Sequence, residues 1–191
     1  MNKIFGWVQD AQTGNRYALN QLIDYYQTDI FRLVYYRIHN RADAEDLTQD
    51  IFVQVIKRIR TLKDQKQFKP WLYRIALNRV RDYFRKKRLL FFMGTTSDIE
   101  TDSNLEFAEN ESPETEVFKK EFQQLLKSLS TDFSKWEREI FLLRYIDDMN
   151  LKEIAIALNK SESTVKTHLY RALEKFKKHQ TIREFLQASK R

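Results

Sequence analysis

The sequence contains no cysteine, and that single absence removes disulfide bonds, thiol catalysis and cysteine-ligated zinc. Glycine and proline are nearly missing too, at 3 and 2 of 191 residues. A strand-rich chain needs both to punctuate its turns, so an all-α fold is expected. Long hydrophobic runs are also lacking. The apolar stretch Leu89–Met93 falls far short of the roughly 20 residues that span a bilayer, and the N-terminus lacks a secretory pattern. The expected location is the cytoplasm. The three histidines, at 39, 168 and 179, have no metal-ligand spacing with one another. No glycine-rich loop is there to cradle a phosphate. The carboxylate pairs Glu45/Asp46 and Asp147/Asp148 sit at helix-start or turn positions, where solvation accounts for them. An enzyme is therefore not expected, nor a metal, a cofactor or a small-molecule substrate.

What is present is charge, unevenly spread. The net charge is +7, yet residues 1–90 hold 18 basic side chains against 9 acidic, residues 91–118 hold 8 acidic and no basic ones, and residues 119–191 hold 16 basic against 10 acidic. Basic blocks of this size suit a polyanionic partner, because each Lys or Arg placed on a phosphate releases a condensed counterion. The strip between them is rich in Ser, Thr and Asn, with breakers at Gly94 and Pro113. Two small helical domains, residues 1–92 and 117–191, are thus expected around a flexible acidic linker, residues 93–116. Composition alone would let that linker be a solubilising spacer.

Periodicity places the helices. Leu19, Leu22, Ile23, Tyr26, Ile30, Leu33 and Val34 fit one or two helices over residues 16–39. Asn40 is a candidate cap for a helix with Ala44, Leu47, Ile51, Val55 and Ile59 on its inner stripe. Residues 60–68 lose the pattern, and Pro70 suits the first turn of a helix over about residues 70–88. Beyond the linker, Val117–Leu129 and Lys135–Ile146 are amphipathic, Asn150 caps Leu151–Leu158, and Ser161 caps Glu162–Lys178. Short helix, tight turn and longer basic helix make a helix-turn-helix.

Three stretches carry function. In residues 151–176, Ile154, Ala155, Leu158, Val165, Leu169, Leu173 and Phe176 face inward, and Asn159 holds the turn position that needs a left-handed backbone. Ser163, Thr164, Lys166, Thr167, Tyr170 and Arg171 remain for base edges and phosphates, those nearest the helix start reaching bases. In residues 68–88, Arg74, Asn78, Arg81, Arg85 and Arg88 form one stripe, and Leu72, Ile75, Ala76, Val80 and Phe84 another. Phe68, Trp71, Tyr73 and Tyr83 either stack on unpaired bases or fill the core. In residues 40–56, Asp43, Asp46 and Asp50 share a face with Gln49. That face either compensates the helix dipole or docks a basic protein.

The order of DAEDLTQDIFVQVI, FKPWLYRIALNRVRDYFRKKR, an acidic linker and REIFLLRYIDDMNLKEIAIALNKSESTVKTHLYRALEKF resembles the bacterial extracytoplasmic-function (ECF) sigma factors over nearly the whole chain. The resemblance implies a promoter-specificity subunit of RNA polymerase. It implies that Asp43, Asp46, Gln49 and Asp50 meet the clamp of the largest polymerase subunit. Lys63, Asp64, Gln65, Lys66 and Gln67, with Arg74, Asn78, Arg81 and Arg85, would read and open the minus-ten element, and the helix-turn-helix would read the minus-thirty-five element. Further implied partners are the polymerase flap and an anti-sigma protein that holds the factor at the membrane; the linker would thread the RNA exit path. The chain departs from the family pattern at Asn159, where Gly is common, at Ser161–Ser163, where Pro and Gly are common, and in the apolar run Leu89–Met93. The alternative reading is a stand-alone helix-turn-helix regulator bound directly to an operator, which would ordinarily dimerise.

Overall fold

The computed structural model describes residues 3–92 and 132–178. The expected linker, the segment Val117–Leu129, Met93 and His179 lie outside the described residues. All regular structure among the described residues is helical, and the chain divides into two compact units, one N-terminal and one C-terminal.

The N-terminal unit contains α1 (Lys3–Gln12), α2 (Arg16–Ile38), α3 (Arg41–Arg58) and α4 (Phe68–Phe92). Short polar side chains set the boundaries. The Asn15 side chain accepts from the Tyr17 and Ala18 amides at 3.0 and 3.2 Å, starting α2. His39, left-handed at φ 54°, ends that helix by donating its amide to Tyr35 O at 2.9 Å. Asn40 follows in an extended conformation and accepts from the Asp43 amide at 2.8 Å, as its cap position predicts. Gly14 joins α1 to α2 at φ 99°, where a side chain would be strained. The core holds Leu22, Ile30, Leu33 and Val34 from α2, Ile51 and Val55 from α3, and Phe68, Leu72, Tyr73 and Ala76 from α4. Val8 and Ala11 close it from α1.

Several boundaries differ from the sequence expectation. Helix α1 was not anticipated, because its buried set is only Val8 and Ala11. Of the one or two helices that the periodicity allowed over residues 16–39, the structure has one, Arg16–Ile38. The loop before α4 contains two 3-10 turns, Ile59–Thr61 and Gln65–Gln67. Helix α4 starts two residues before Pro70, which the first turn tolerates because its amides have no helical partners. It also runs four residues past 88, through the start of the apolar run, with Leu89 exposed. Phe84, expected inside, is 46% exposed. The inner stripe has ended there, since the last buried residue of α4 before it is Val80.

The C-terminal unit contains α5 (Lys135–Tyr145), α6 (Leu151–Leu158) and α7 (Glu162–Lys178). Ile140, Leu143, Met149, Ile154, Val165 and Ala172 are buried. Phe141 lies between Phe133 and Phe176, with ring centroids 5.6 and 5.2 Å away. Ser134 and Glu137 cap α5 reciprocally, the Ser134 amide donating to Glu137 Oε2 at 2.8 Å. The same carboxylate, 4% exposed, accepts from Lys175 Nζ of α7 at 2.7 Å, so one buried charge ties α5 to α7. Lys175 also donates to Asp132 O at 3.0 Å.

Burial pushes the Glu137 carboxyl up, but Lys175 and the Ser134 amide and hydroxyl outweigh it and hold it below the usual carboxylate range. A carboxyl lowered on folding stabilises the fold above its unfolded pKa of about 4.3, and that contribution disappears as pH falls through the folded value. Glu137→Gln is expected to cost about 1–2 kcal/mol at pH 7, since a charged hydrogen bond is lost while half-exposed Lys175 rehydrates. In urea unfolding followed from pH 7 downward, the gap between wild type and variant should narrow below the unfolded carboxyl pKa. A gap that is constant with pH contradicts this origin.

Candidate nucleic-acid interface

The turn of the helix-turn-helix is built as its sequence requires. Asn150 Oδ1 accepts from the Glu153 amide at 2.9 Å, and Glu153 Oε2 accepts from the Asn150 amide at 2.8 Å, a reciprocal cap on α6. Asn159 is left-handed at φ 54°, which its short amide side chain tolerates, and the Lys160 amide closes the turn on Ala155 O at 2.9 Å. Ser161 Oγ then accepts from the Thr164 amide at 3.1 Å and starts α7. Lys160 Nζ lies 3.9 Å from the Trp136 ring centroid, a cation–π contact that stiffens the turn from α5.

Ser163, Lys166, Thr167, Tyr170 and Arg171 are exposed along α7, with Tyr170 at 67%. Val165 and Leu169 are sealed on its other side. Thr164 is half-buried, and its hydroxyl lies 2.8 Å from Ser161 Oγ, so it belongs first to the cap. The Thr167 hydroxyl donates to Ser163 O at 3.0 Å and leaves its lone pairs outward. The amide-rich start of α7 carries the positive end of the helix dipole, which favours a phosphate there.

In the N-terminal unit the same division runs along α4. Leu72, Ile75, Ala76 and Val80 are buried, while Asn78, Arg81, Arg85 and Arg88 are exposed, and Arg74, at the head of the same stripe, is half-buried. Arg81 Nη2 donates to the Asn78 amide oxygen, and Arg85 pairs with Asp82 at 3.0 Å. Such exposed contacts are weak enough to exchange for phosphate. Of the aromatics offered for stacking, Phe68 and Tyr73 are buried and belong to the core, and Trp71 is half-buried.

The loop ahead of α4 presents Lys63, Asp64, Lys66 and Gln67 to solvent. Asp64 organises it, accepting from the Lys66 amide at 3.0 Å and from Gln67 Nε2 at 3.1 Å. Gln65 is half-buried and points back to α1, its Nε2 donating to Gln12 Oε1 at 2.9 Å.

The acidic face of α3 is less uniform than its spacing suggests. Asp46, Gln49 and Asp50 are exposed, and Asp50 pairs with Arg79 of α4 at 3.2 Å. Asp43 is half-buried and accepts from the Tyr83 hydroxyl at 2.6 Å, so it also fastens α3 to α4. Beyond the carboxylates, Val53 and Ile56 lie 43% and 46% exposed. Sequence reasoning passed over these two. The signal was there, since both fall off the core stripe of Ala44, Ile51 and Val55.

The chain is similar to known proteins. The family models for Sigma-70 region 2 and Sigma-70 region 4 match residues 22–89 and 119–176. BldN of Streptomyces coelicolor, an ECF RNA polymerase sigma factor, is 32% identical over 167 residues, which is 87% of this chain and 61% of BldN. The chain thus spans less than two thirds of that relative's length. NccH of Alcaligenes xylosoxydans xylosoxydans, an RNA polymerase sigma factor, is 30% identical over 166 residues, 86% of this chain and 88% of NccH. The solved structure of CnrH in complex with the cytosolic domain of CnrY superimposes with a TM-score of 0.67 at 21% identity, covering 98% of this chain and 99% of that one.

Burial, with hydrogen bonding to the Asp43 carboxylate, raises the Tyr83 phenol well above its ordinary value of 10.0. In ultraviolet titration, the difference between wild type and Tyr83→Phe should therefore report a phenol that ionises well above pH 10. The variant should lose about 1 kcal/mol in urea unfolding, the net value of one half-exposed hydrogen bond. A difference spectrum that titrates near pH 10 would contradict the buried contact.

Proposed function

The chain belongs to the ECF sigma factors of RNA polymerase, and from that membership we propose how its surfaces divide the work of initiation. It binds core polymerase and directs it to promoter DNA; bond formation is the polymerase's, and the chain is not an enzyme. With family models on both halves, the stand-alone regulator is not favoured. One observation carries the division. Helices α4 and α7 each bury an apolar face in their own unit and expose an opposite face holding cations.

Residues 1–92 engage the minus-ten element. Lys63, Asp64, Gln65, Lys66 and Gln67 form the loop that captures unpaired bases, with Lys66 and Gln67 among its exposed side chains. Arg74, Asn78, Arg81 and Arg85 track the phosphates of the opened strands. Residues 117–191 read the minus-thirty-five element. Ser163, Thr164, Lys166 and Thr167 lie at the start of α7 for the major groove, and Tyr170 and Arg171 meet the backbone. Asp43, Asp46, Gln49 and Asp50 dock on a basic polymerase surface at the clamp, while the acidic residues 93–116 take the path of the transcript. An anti-sigma protein, holding the factor near the membrane until a stimulus arrives, completes the proposed partners. No described helix is long and apolar enough to cross a membrane, and a cytoplasmic site of action fits contact with polymerase.

Charge and base-reading substitutions separate these roles. Asp46→Lys with Asp50→Lys should abolish co-elution with core polymerase. Arg81→Ala or Arg85→Ala should weaken holoenzyme binding to all promoters alike and lower the log–log salt slope by about 1 each. Lys166→Ala with Arg171→Ala should remove the benefit of a minus-thirty-five element in run-off transcription. Retention of polymerase binding by the charge-reversed variant, or an unchanged upstream preference in the helix variants, would refute the corresponding assignment.

A further inference from the structure

We propose that Gln12 of α1 is a positioning residue that sets the shape of the minus-ten loop, through three hydrogen bonds from a single side-chain amide. The inference rests on the reading of residues 63–67 as the base-capturing loop. Gln12 itself lies ahead of the matched residues 22–89.

Gln12 Nε2 donates to Ile59 O at 2.9 Å and to Leu62 O at 2.7 Å. Its Oε1 accepts from Gln65 Nε2 at 2.9 Å. Both of its N–H donors are thus used on backbone carbonyls, which cannot donate, so only one orientation of the amide satisfies the set. That orientation turns Oε1 toward Gln65, and Gln65 must in turn present its NH2 group. Two carbonyls at one edge of the loop therefore dictate how a side chain at the other edge sits.

The two held points, Leu62 and Gln65, bracket Lys63 and Asp64, which are exposed. Asp64 carries the order onward by capping the turn that contains Lys66 and Gln67. Gln12 has a firm base of its own. Val8 and Ala11 anchor α1 in the core at 0% and 4% exposure, and α1 packs on both 3-10 turns. Gly14, just beyond, leaves room for the Arg60 guanidinium, 3.3 Å from where a Cβ would lie. A loop that must accept an unpaired base is thus ordered before the base arrives, so less ordering is needed on binding.

The test uses holoenzyme assembled from core polymerase and the full chain, with a promoter library randomised across the minus-ten element. Gln12→Glu keeps the length of the side chain and the acceptor for Gln65 but sets carboxylate oxygens against two carbonyls. Gln12→Met keeps the length and removes every polar group. A third variant, Lys66→Ala with Gln67→Ala, tests the loop reading alone. If the inference holds, the Gln12 variants flatten base preference at the positions that the loop variant flattens, by about fivefold for one to two neutral hydrogen bonds. Preference at other promoter positions and affinity for core should stay at wild-type levels, which a general loss of stability would not spare. If the loop variant flattens those positions and both Gln12 variants keep the wild-type profile, the inference is overturned and the loop reading stands. If no variant changes the profile, the loop reading fails and takes the inference with it.

Discussion

The structure depends on one constraint: α4 and α7 are each buried along one side only. An arginine or lysine cannot be turned into an apolar core without leaving its charge unpaired, at a cost far above the few kilocalories by which a domain is stable. Once Leu72, Ile75, Ala76 and Val80 are committed to the core, Asn78, Arg81, Arg85 and Arg88 are left outward as a consequence of helical pitch. Val165, Leu169 and Ala172 do the same for Lys166 and Arg171 on α7. Packing and the outward set of cations are therefore one design, and a substitution that turned either helix on its axis would disturb both.

Opposite charges coexist in the N-terminal unit because they occupy different helices with few direct links. Arg79–Asp50 and Tyr83–Asp43 join α4 to α3 at two places. The rest of the acidic face remains turned to solvent beside exposed Val53 and Ile56. A carboxylate surface with an apolar continuation suits a protein partner better than DNA, since phosphates repel the first and gain nothing from the second. The C-terminal unit has a different arrangement: its buried carboxylate Glu137 is spent internally on Ser134 and Lys175.

Much of this was legible in the amino-acid order. Caps at Asn40, Asn150 and Ser161 were readable because Asn and Ser at a helix start have one dominant use, and each makes the predicted amide contact. The left-handed turn at Asn159 and the two-faced helices followed from residue type and period. Helix α1 was not readable, because Val8 and Ala11 alone give too little periodicity. The Gln12 contacts were hidden for a different reason. They join residues 47 to 53 positions apart, and a half-buried glutamine has no pattern until the fold brings its partners in. Phe84 misled because the core ends before the helix does, and the half-burial of Thr164 was hidden because its hydroxyl meets the Ser161 cap.

Initiation by the intact chain with core polymerase on a randomised promoter library tests the central claim most directly, with the free chain assayed on the selected promoter alongside. The account predicts transcripts from one promoter class defined by two separated elements, and weak, sequence-indifferent DNA binding by the free chain, whose two modules gain little joint affinity until polymerase sets their spacing. Tight, specific binding by the free chain, with no transcript from any template in the presence of core, would contradict it.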